Sequence, residues 1–225
     1  MSPAGPLRRD PDGVAEVAPA WPGATVICIA GGPSLNADHL NAVQTEKWAG
    51  RARVIAVNDA YLLAPWADVL YFADVRWWQW HKDQSEFRAF AGQKCTIENT
   101  SGRVTDPDVF MLKNAGVEGL SEDPHSLRNG RTSGYQAINL AALAGALRII
   151  LLGYDGRVGQ DGRAHWFGGH PERESPLMIQ TLSAKLAHIA APLKARGIQV
   201  INASPDTAIE CFSKLPLNKA LELST

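Results

Sequence analysis

Residues 24–35 read ATVICIAGGPSL, an uncharged apolar run that ends in two glycines, a proline and a serine. The run is short and rich in β-branched side chains, which predicts a strand buried on both faces of a parallel sheet. Gly31 and Gly32 lack a Cβ, so the backbone can turn sharply there and approach a ligand. Ser34 or Asn36 can cap the helix that follows, whose amide groups would then point at a phosphate above the strand end. The alternative is an ordinary tight turn. The loop has neither the GxGxxG spacing of dinucleotide-binding proteins nor the lysine of a Walker motif.

Further apolar runs predict the rest of a sheet. Short strands are predicted at 53–57, 69–73, 95–97, 109–112, 148–152 and 198–202, helices at 75–91, 133–146 and 177–195, and two short helices at the end. This alternation predicts the α/β class, with a single doubly wound, mostly parallel, Rossmann-like sheet and helices on both faces. Residues 1–22 are rich in proline, alanine, glycine and charge and predict a flexible N-terminal arm. Residues 23–225 are then one nucleotide-binding domain.

Composition excludes several classes of protein. The chain has 225 residues and a net charge of −1, which argues against a surface for duplex nucleic acid. Its three cysteines are too few and too scattered for a disulfide framework or a zinc knuckle. No apolar run approaches the roughly 18 residues of a membrane span, so we expect no span and a cytoplasmic location. Assembly into a homo-oligomer stays open.

Polar side chains follow several predicted strands directly. Asn58 and Asp59 follow the second strand, Asp74 follows the third, and Asp155 comes three residues after the strand at 148–152. Open parallel sheets bind ligands at this edge, so these side chains are candidates for reading a ribose or a base. Helix capping is the alternative for each of them.

Aromatic and histidine residues are further candidates. Trp77, Trp78 and Trp80 could stack on a base or a sugar ring, but their helical spacing favours packing. His165 and His170 lie in a glycine-rich loop, where a histidine could accept a proton from a hydroxyl group. A metal site that combines these histidines with nearby aspartates is an alternative, although their spacing does not match a helical metal motif.

Four segments in a fixed order carry a resemblance to a known superfamily. They are AGGPSL at 30–35, Thr-Ser-Gly at 132–134, Gly-Tyr-Asp at 153–155 and HWFGGH at 165–170. This order, over roughly residues 24–220, resembles the sialyltransferase-like superfamily of bacterial surface-glycan enzymes. That superfamily includes the 6-hydroxymethylpterin diphosphokinase-like proteins, and the chain looks like its stand-alone phage and prophage members.

The resemblance implies roles for individual residues. It implies nucleotide contacts for Gly31, Gly32, Pro33, Ser34, Asn58, Thr132, Ser133, Gly134, Gly153, Tyr154 and Asp155, to which the strand-end position adds Asp74. It implies that His170 is the general base, with His165 as the second candidate. Arg131, directly before the Thr-Ser-Gly turn, is the candidate phosphate ligand, although the arginine of the family lies further upstream. The tyrosines that the family keeps after its Gly-x-Asp turn are absent here.

Three functions follow as expectations. The first is group transfer from a nucleotide or nucleotide-sugar donor, such as a CMP-linked sugar, to an acceptor that the sequence does not identify. The second is Mg²⁺-dependent pyrophosphoryl transfer to a small heterocyclic alcohol, with Asp59, Asp74 and Asp155 as metal ligands. The third is sequestration of a nucleotide without turnover.

Overall fold

The computed structural model describes residues 5–167 and 175–223. Its strands are β1 (Leu7–Arg9), β2 (Ala15–Val17), β3 (Thr25–Ile29), β4 (Ala52–Val57), β5 (Val69–Tyr71), β6 (Gln93–Ile97), β7 (Val109–Asn114), β8 (Ser126–Leu127), β9 (Arg148–Leu152), β10 (Gln199–Asn202) and β11 (Ser213–Lys214). Its α-helices are α1 (Ala37–Trp48), α2 (Val75–His81), α3 (Ser85–Ala89), α4 (Ser133–Leu143), α5 (Pro176–Ala184), α6 (Ala187–Ala195) and α7 (Leu217–Glu222), and Asn58–Leu62 forms a 3₁₀ helix.

Nine strands form one parallel sheet in the order β11-β10-β9-β3-β4-β5-β6-β7-β8. The α/β class and the parallel, Rossmann-like sheet are therefore confirmed. The predicted strands β3, β4, β5, β9 and β10 are neighbours in this sheet, and most of their residues are apolar and buried. From β3 the chain winds in one direction as far as β8, then returns to β9 on the other side of β3. The order of the strands thus reverses between β3 and β9.

Side chains alternate between two hydrophobic cores, one on each face of the sheet. In β3, Val26 and Cys28 join the core beneath α4 and α6, whereas Ile27 and Ile29 join the core beneath α1, α2 and α7. Alternate residues of a strand point to opposite faces, so a strand without polar residues requires cover on both. The helices on both faces provide that cover and confirm the doubly wound prediction.

The expected flexible arm is wrong for residues 5–22. β1 and β2 pair as an antiparallel hairpin, and Leu7, Val17 and Trp21 are buried in the core beneath α4. The Gln93 side chain bonds both the amide and the carbonyl of Leu7, at 2.9 and 2.6 Å. The segment is mostly polar, proline and glycine, but four of its apolar side chains pack against the sheet, namely those of Leu7, Ala15, Val17 and Trp21.

Two predicted helices are each divided. The helix predicted at 75–91 is α2 and α3, and the helix predicted at 177–195 is α5 and α6. Of the two short helices expected at the end of the chain, α7 is present, and the described residues between β10 and α7 contain β11 and no helix. None of the helices in the described ranges is long and apolar enough to cross a bilayer.

Candidate functional site

A cleft of about 680 Å³ lies along the carboxyl ends of β3, β4, β5, β6, β7 and β9. We call it the strand-end cleft. It includes the crevice between β3 and β9, where the strand order reverses and where open α/β sheets bind ligands. The predicted site residues that line it are Gly31, Gly32, Pro33, Asn58, Asp74, Arg131, Thr132, Ser133, Gly134, Gly153, Tyr154, Asp155 and His165. Segments that are distant in the sequence are therefore brought together.

The two glycines after β3 have different surroundings. A Cβ on Gly32 would overlap Oδ2 of Asp155 and lie 2.5 Å from the carbonyl oxygen of Gly153. The same carbonyl oxygen accepts a hydrogen bond from the Gly32 amide at 2.9 Å. The contact between these two loops is sufficient to explain a glycine at position 32, without a ligand above it. Among the described residues, a Cβ on Gly31 would meet His165 and Phe167, at the ordinary contact distances of 3.4 and 3.6 Å. Gly31 is the glycine with space beside it.

Asp155 is buried beneath the glycine loop. Its side chain is 5% exposed, and neither its Oδ2 nor the Ser34 hydroxyl makes a hydrogen bond of normal geometry within the described part of the chain. Burial raises the pKa of Asp155, and the nearby hydroxyl and amide of Ser34 oppose that shift by favouring the charged form. Ser34 does not line the strand-end cleft. A buried carboxyl group with a raised pKa at the strand reversal is a feature typical of functional sites.

The N-terminus of α4 opens into the strand-end cleft. Thr132 is the N-cap, and its Oγ1 accepts the Tyr135 amide at 3.1 Å. The Tyr154 hydroxyl donates to the carbonyl of Gly134 at 3.1 Å, and a Cβ on Gly134 would lie 2.8 Å from the Tyr154 ring. Tyr154 therefore fixes the first turn of α4 against the loop after β9. The helix dipole makes this end of α4 attractive to an anion.

Two residues at the strand-end cleft adopt a left-handed backbone conformation. Asn58, directly after β4, has φ +50°, and Arg131, directly before the α4 cap, has φ +63°. The Arg131 amide donates to Oδ1 of Asn129 at 2.9 Å, which supports that turn. Oδ1 of Asn58 is buried and has no hydrogen-bond partner among the described residues. Such conformations cluster at functional sites, where the surrounding structure must hold them.

The aspartates after β4 and β5 have structural partners. Asp59 is buried, accepts the Trp77 indole N–H at 2.8 Å and lies 3.3 Å from Nε2 of His81. Asp74 caps α2 by accepting the Arg76 amide at 2.8 Å. Within residues 5–167 and 175–223, no group of three His, Cys, Asp or Glu side chains is placed to hold a metal ion.

His165 lies above the glycine loop. The Trp166 amide donates to the Gly31 carbonyl at 3.0 Å, which ties this segment to the end of β3. The rings of His165 and Phe167 stack at 5.0 Å, and both residues line the strand-end cleft. His170, the first candidate for the general base, lies outside the described residues.

Several lining residues were not predicted, among them Arg76, Asn99, Asn114, Asn129, Gln136 and Arg157. Trp80, which was a candidate for stacking although its spacing favoured packing, also lines the cleft. Asn99 and Asn114 obey the strand-end rule that found Asn58, since they follow or end β6 and β7. Both asparagines lie two residues beyond the strands predicted at 95–97 and 109–112, so the sequence did not mark them as strand-end residues.

Comparison with models of known protein families gives no match, and a search of curated proteins finds no significantly similar sequence.

Proposed function

We propose that the strand-end cleft binds a nucleoside phosphate and that the protein transfers the group attached to that phosphate. One observation carries the proposal, namely the meeting of the glycine loop, the α4 N-terminus and Arg131 at the strand reversal. Backbone amides, a helix dipole and a guanidinium group are the donors that bind phosphate most often in proteins. A cradle of this kind suits the phosphate of a nucleotide or nucleotide-sugar, such as a CMP-linked sugar.

Amide side chains supply the remaining polar contacts. Asn58, Asn114 and Asn129 line the strand-end cleft. Oδ1 of Asn114 accepts the Gly116 amide and Oδ1 of Asn129 accepts the Arg131 amide, so these two side chains offer chiefly N–H donors. The buried Oδ1 of Asn58 needs a donor, which a ribose hydroxyl or an exocyclic amine would supply. These residues support a nucleoside beside the phosphate.

A histidine would supply the proton transfer. In the proposed reaction an acceptor hydroxyl loses its proton to the imidazole while its oxygen bonds to the donor carbon. The bond from that carbon to the phosphate oxygen breaks, and its electron pair leaves with the nucleotide, whose charge α4 and Arg131 stabilise. His165 is the histidine that lines the cleft in the described ranges. His170, which the resemblance favours as the base, lies outside the described residues.

Calorimetric titration with CMP, UMP and ADP tests the proposal. We expect at least one nucleotide to bind with a Kd below about 1 mM, and Arg131→Asn to weaken it about tenfold or more by removing a charge-assisted contact. Asparagine tolerates the left-handed backbone at this position, so the fold is kept. Arg88→Gln is the control, because Arg88 is exposed on α3 and outside the cleft.

The outcomes separate the alternatives. No binding below millimolar concentrations, with or without Mg²⁺, contradicts the proposal. Turnover that requires Mg²⁺ and stops in EDTA indicates the pyrophosphoryl transfer instead. Tight retention of an unchanged nucleotide-sugar indicates sequestration.

A further inference from the structure

A second arginine of the strand-end cleft, Arg157, stands outside the phosphate cradle that the glycine loop, the α4 N-terminus and Arg131 form. Arg157 lies on the loop after β9. Its guanidinium is 3.6 Å from the Asp206 carboxylate, and the two side chains are 43% and 75% exposed. An ion pair so exposed contributes little energy, so an anionic ligand can compete for the guanidinium.

The loop that carries Arg157 is joined to the segment that carries Arg131. The Tyr154 hydroxyl, three residues before Arg157, donates to the carbonyl of Gly134, three residues after Arg131. Three residues span at most about 11 Å, which limits the distance from each arginine Cα to the Cα of its partner in this contact. Because both long side chains line the same cleft beside this contact, one ligand can reach both guanidinium groups.

Arg157 also lies beside the glycine loop. Its positive charge acts on the Asp155 carboxyl group and opposes the rise in the pKa of that group. Oδ2 of Asp155 lies 1.7 Å from the position that a Cβ on Gly32 would occupy. The second cation therefore belongs to the crevice between β3 and β9, where the phosphate cradle begins.

The carboxyl groups that line the strand-end cleft leave this crevice accessible to an anion. Asp59, Asp74 and Glu98 lie beyond the ends of β4, β5 and β6, on the other side of β3 from β9. Asp155 is nearer, but its burial raises its pKa. A neighbouring anion would raise that pKa further, so Asp155 can take up a proton instead of repelling the ligand.

We propose that Arg157 binds a second phosphate group, so that the donor is a nucleoside diphosphate linked to the transferred group. One phosphate lies at Arg131 and the α4 N-terminus, and the other pairs with Arg157 beside the glycine loop. The inference rests on the proposed function, because that function supplies the site of the first phosphate. A CMP-linked sugar, which has a single phosphate, would occupy only one of the two positions.

The second arginine serves the leaving group of the proposed reaction. The acceptor oxygen bonds to the donor carbon and its proton passes to the histidine. The bond from that carbon to the terminal phosphate oxygen breaks, and both electrons leave with the nucleoside diphosphate. Two guanidinium groups then stabilise a charge that is larger than that of a monophosphate.

Calorimetric titration with matched mono- and diphosphates tests the proposal. The pairs are CMP and CDP, UMP and UDP, and AMP and ADP, in EDTA, so that no metal ion supplies the positive charge. We expect the preferred diphosphate to bind the wild-type protein about tenfold more tightly than its monophosphate, because it gains a charge-assisted contact. Arg157→Gln should abolish that preference without weakening the monophosphate, whereas Arg131→Asn should weaken both.

Two further variants serve as controls. Arg163→Gln should change neither affinity, because Arg163 lies on the same loop, is 53% exposed, pairs with Asp161 and is outside the cleft. Asp206→Asn should strengthen the diphosphate, because it frees the Arg157 guanidinium. Asparagine tolerates the left-handed backbone of position 206, where φ is +57°. A weaker diphosphate in Asp206→Asn, or equal losses in Arg163→Gln and Arg157→Gln, would overturn the proposal.

The outcomes separate this inference from the proposed function. If mono- and diphosphates bind equally well and Arg157→Gln changes neither, the second phosphate position is refuted and the proposed function stands. A triphosphate that binds about tenfold more tightly than the diphosphate also overturns the assignment. If no nucleotide binds, but inorganic pyrophosphate binds more tightly than phosphate and depends on Arg157, the two phosphate positions are supported and the proposed function is refuted. If pyrophosphate does not bind either, both proposals are refuted.

Discussion

Gly31 and Gly32 are adjacent in the sequence, but the residues that the structure describes leave no room for a side chain at Gly32 alone. Gly32 packs against the carboxylate of Asp155 and the backbone of Gly153, whereas Gly31 has ordinary van der Waals distances to its nearest neighbours. The reason for a glycine therefore differs between the two positions. At Gly32 it is the contact between two loops, and at Gly31 it is the space above the strand end.

Single alanine substitutions separate these two reasons. Gly32→Ala should lower the free energy of unfolding by about 1–3 kcal/mol, because Asp155 and the loop after β9 must shift. Gly31→Ala should leave it within about 0.5 kcal/mol of the wild-type value. Urea unfolding followed by circular dichroism measures both. Equal losses in the two variants would show that the loops do not meet as described.

Burial of Asp155 predicts a pH-dependent stability with a definite sign. Its pKa is raised in the folded protein, so the folded state binds more protons than the unfolded state above the ordinary value of 3.8. Stability is therefore lost as pH rises through the raised pKa. We expect Asp155→Asn to be more stable than the wild-type protein at pH 7, and the difference to shrink as the pH falls toward 3.8.

An exposed aspartate provides the matched control for this measurement. Hydrogen bonding to Arg163 lowers the pKa of Asp161, so its charged form stabilises the folded protein at neutral pH. Asp161→Asn should thus have the opposite effect to Asp155→Asn at pH 7. Melting temperatures of both variants and the wild-type protein from pH 4 to 8 test this. If the difference between Asp155→Asn and the wild-type protein did not vary with pH, the burial argument would be contradicted.

At the scale of single elements, the sequence predicted the strands better than the helices. The apolar residues of β3 and of β9 after Arg148 are stable only in the middle of a sheet that is covered on both faces, and both strands were predicted within a residue or two. The helix predicted at 75–91 is divided into α2 and α3, and the reason is the direction in which its apolar side chains must point. In one continuous helix Phe87 would point well away from the face that buries Trp77 and His81. The break lets all three reach the same core.

The candidate site was predictable where a side chain follows a recognised strand. Asn58 and the loops after β3 and β9 were found in this way, and they do line one cleft. Packing was favoured for all three tryptophans of α2, because helical spacing does not say which side of the helix faces the sheet and which side faces the cleft. Arg76 and the amides of Asn99 and Asn114 were missed because their positions depend on which strands are neighbours. The orientation of a helix and the order of strands in a sheet are determined by tertiary packing, which a local sequence pattern does not specify.

At the scale of the whole molecule, the N-terminal hairpin is part of the core. Leu7→Ala should lower the free energy of unfolding by about 2–5 kcal/mol, because the side chain is 3% exposed and its removal leaves a cavity. Arg8→Ala, next to it on the exposed side of β1, should change it by less than about 0.5 kcal/mol. Denaturant titration distinguishes the two. If Leu7→Ala left the free energy of unfolding unchanged, the segment would instead be the flexible arm that its composition predicted.

The reversal of strand order between β3 and β9 also determines when the molecule becomes complete during its synthesis. One edge of β3 can pair with β4 soon after both leave the ribosome. The other edge pairs with β9, which is synthesised only after α4. An unpaired edge of a buried strand invites association with other chains, so this interval is the hazardous part of folding. The crevice does not exist before β9 arrives. A nascent chain therefore acquires its binding surface late, and capture of a ligand there would report that the two halves of the sheet have joined.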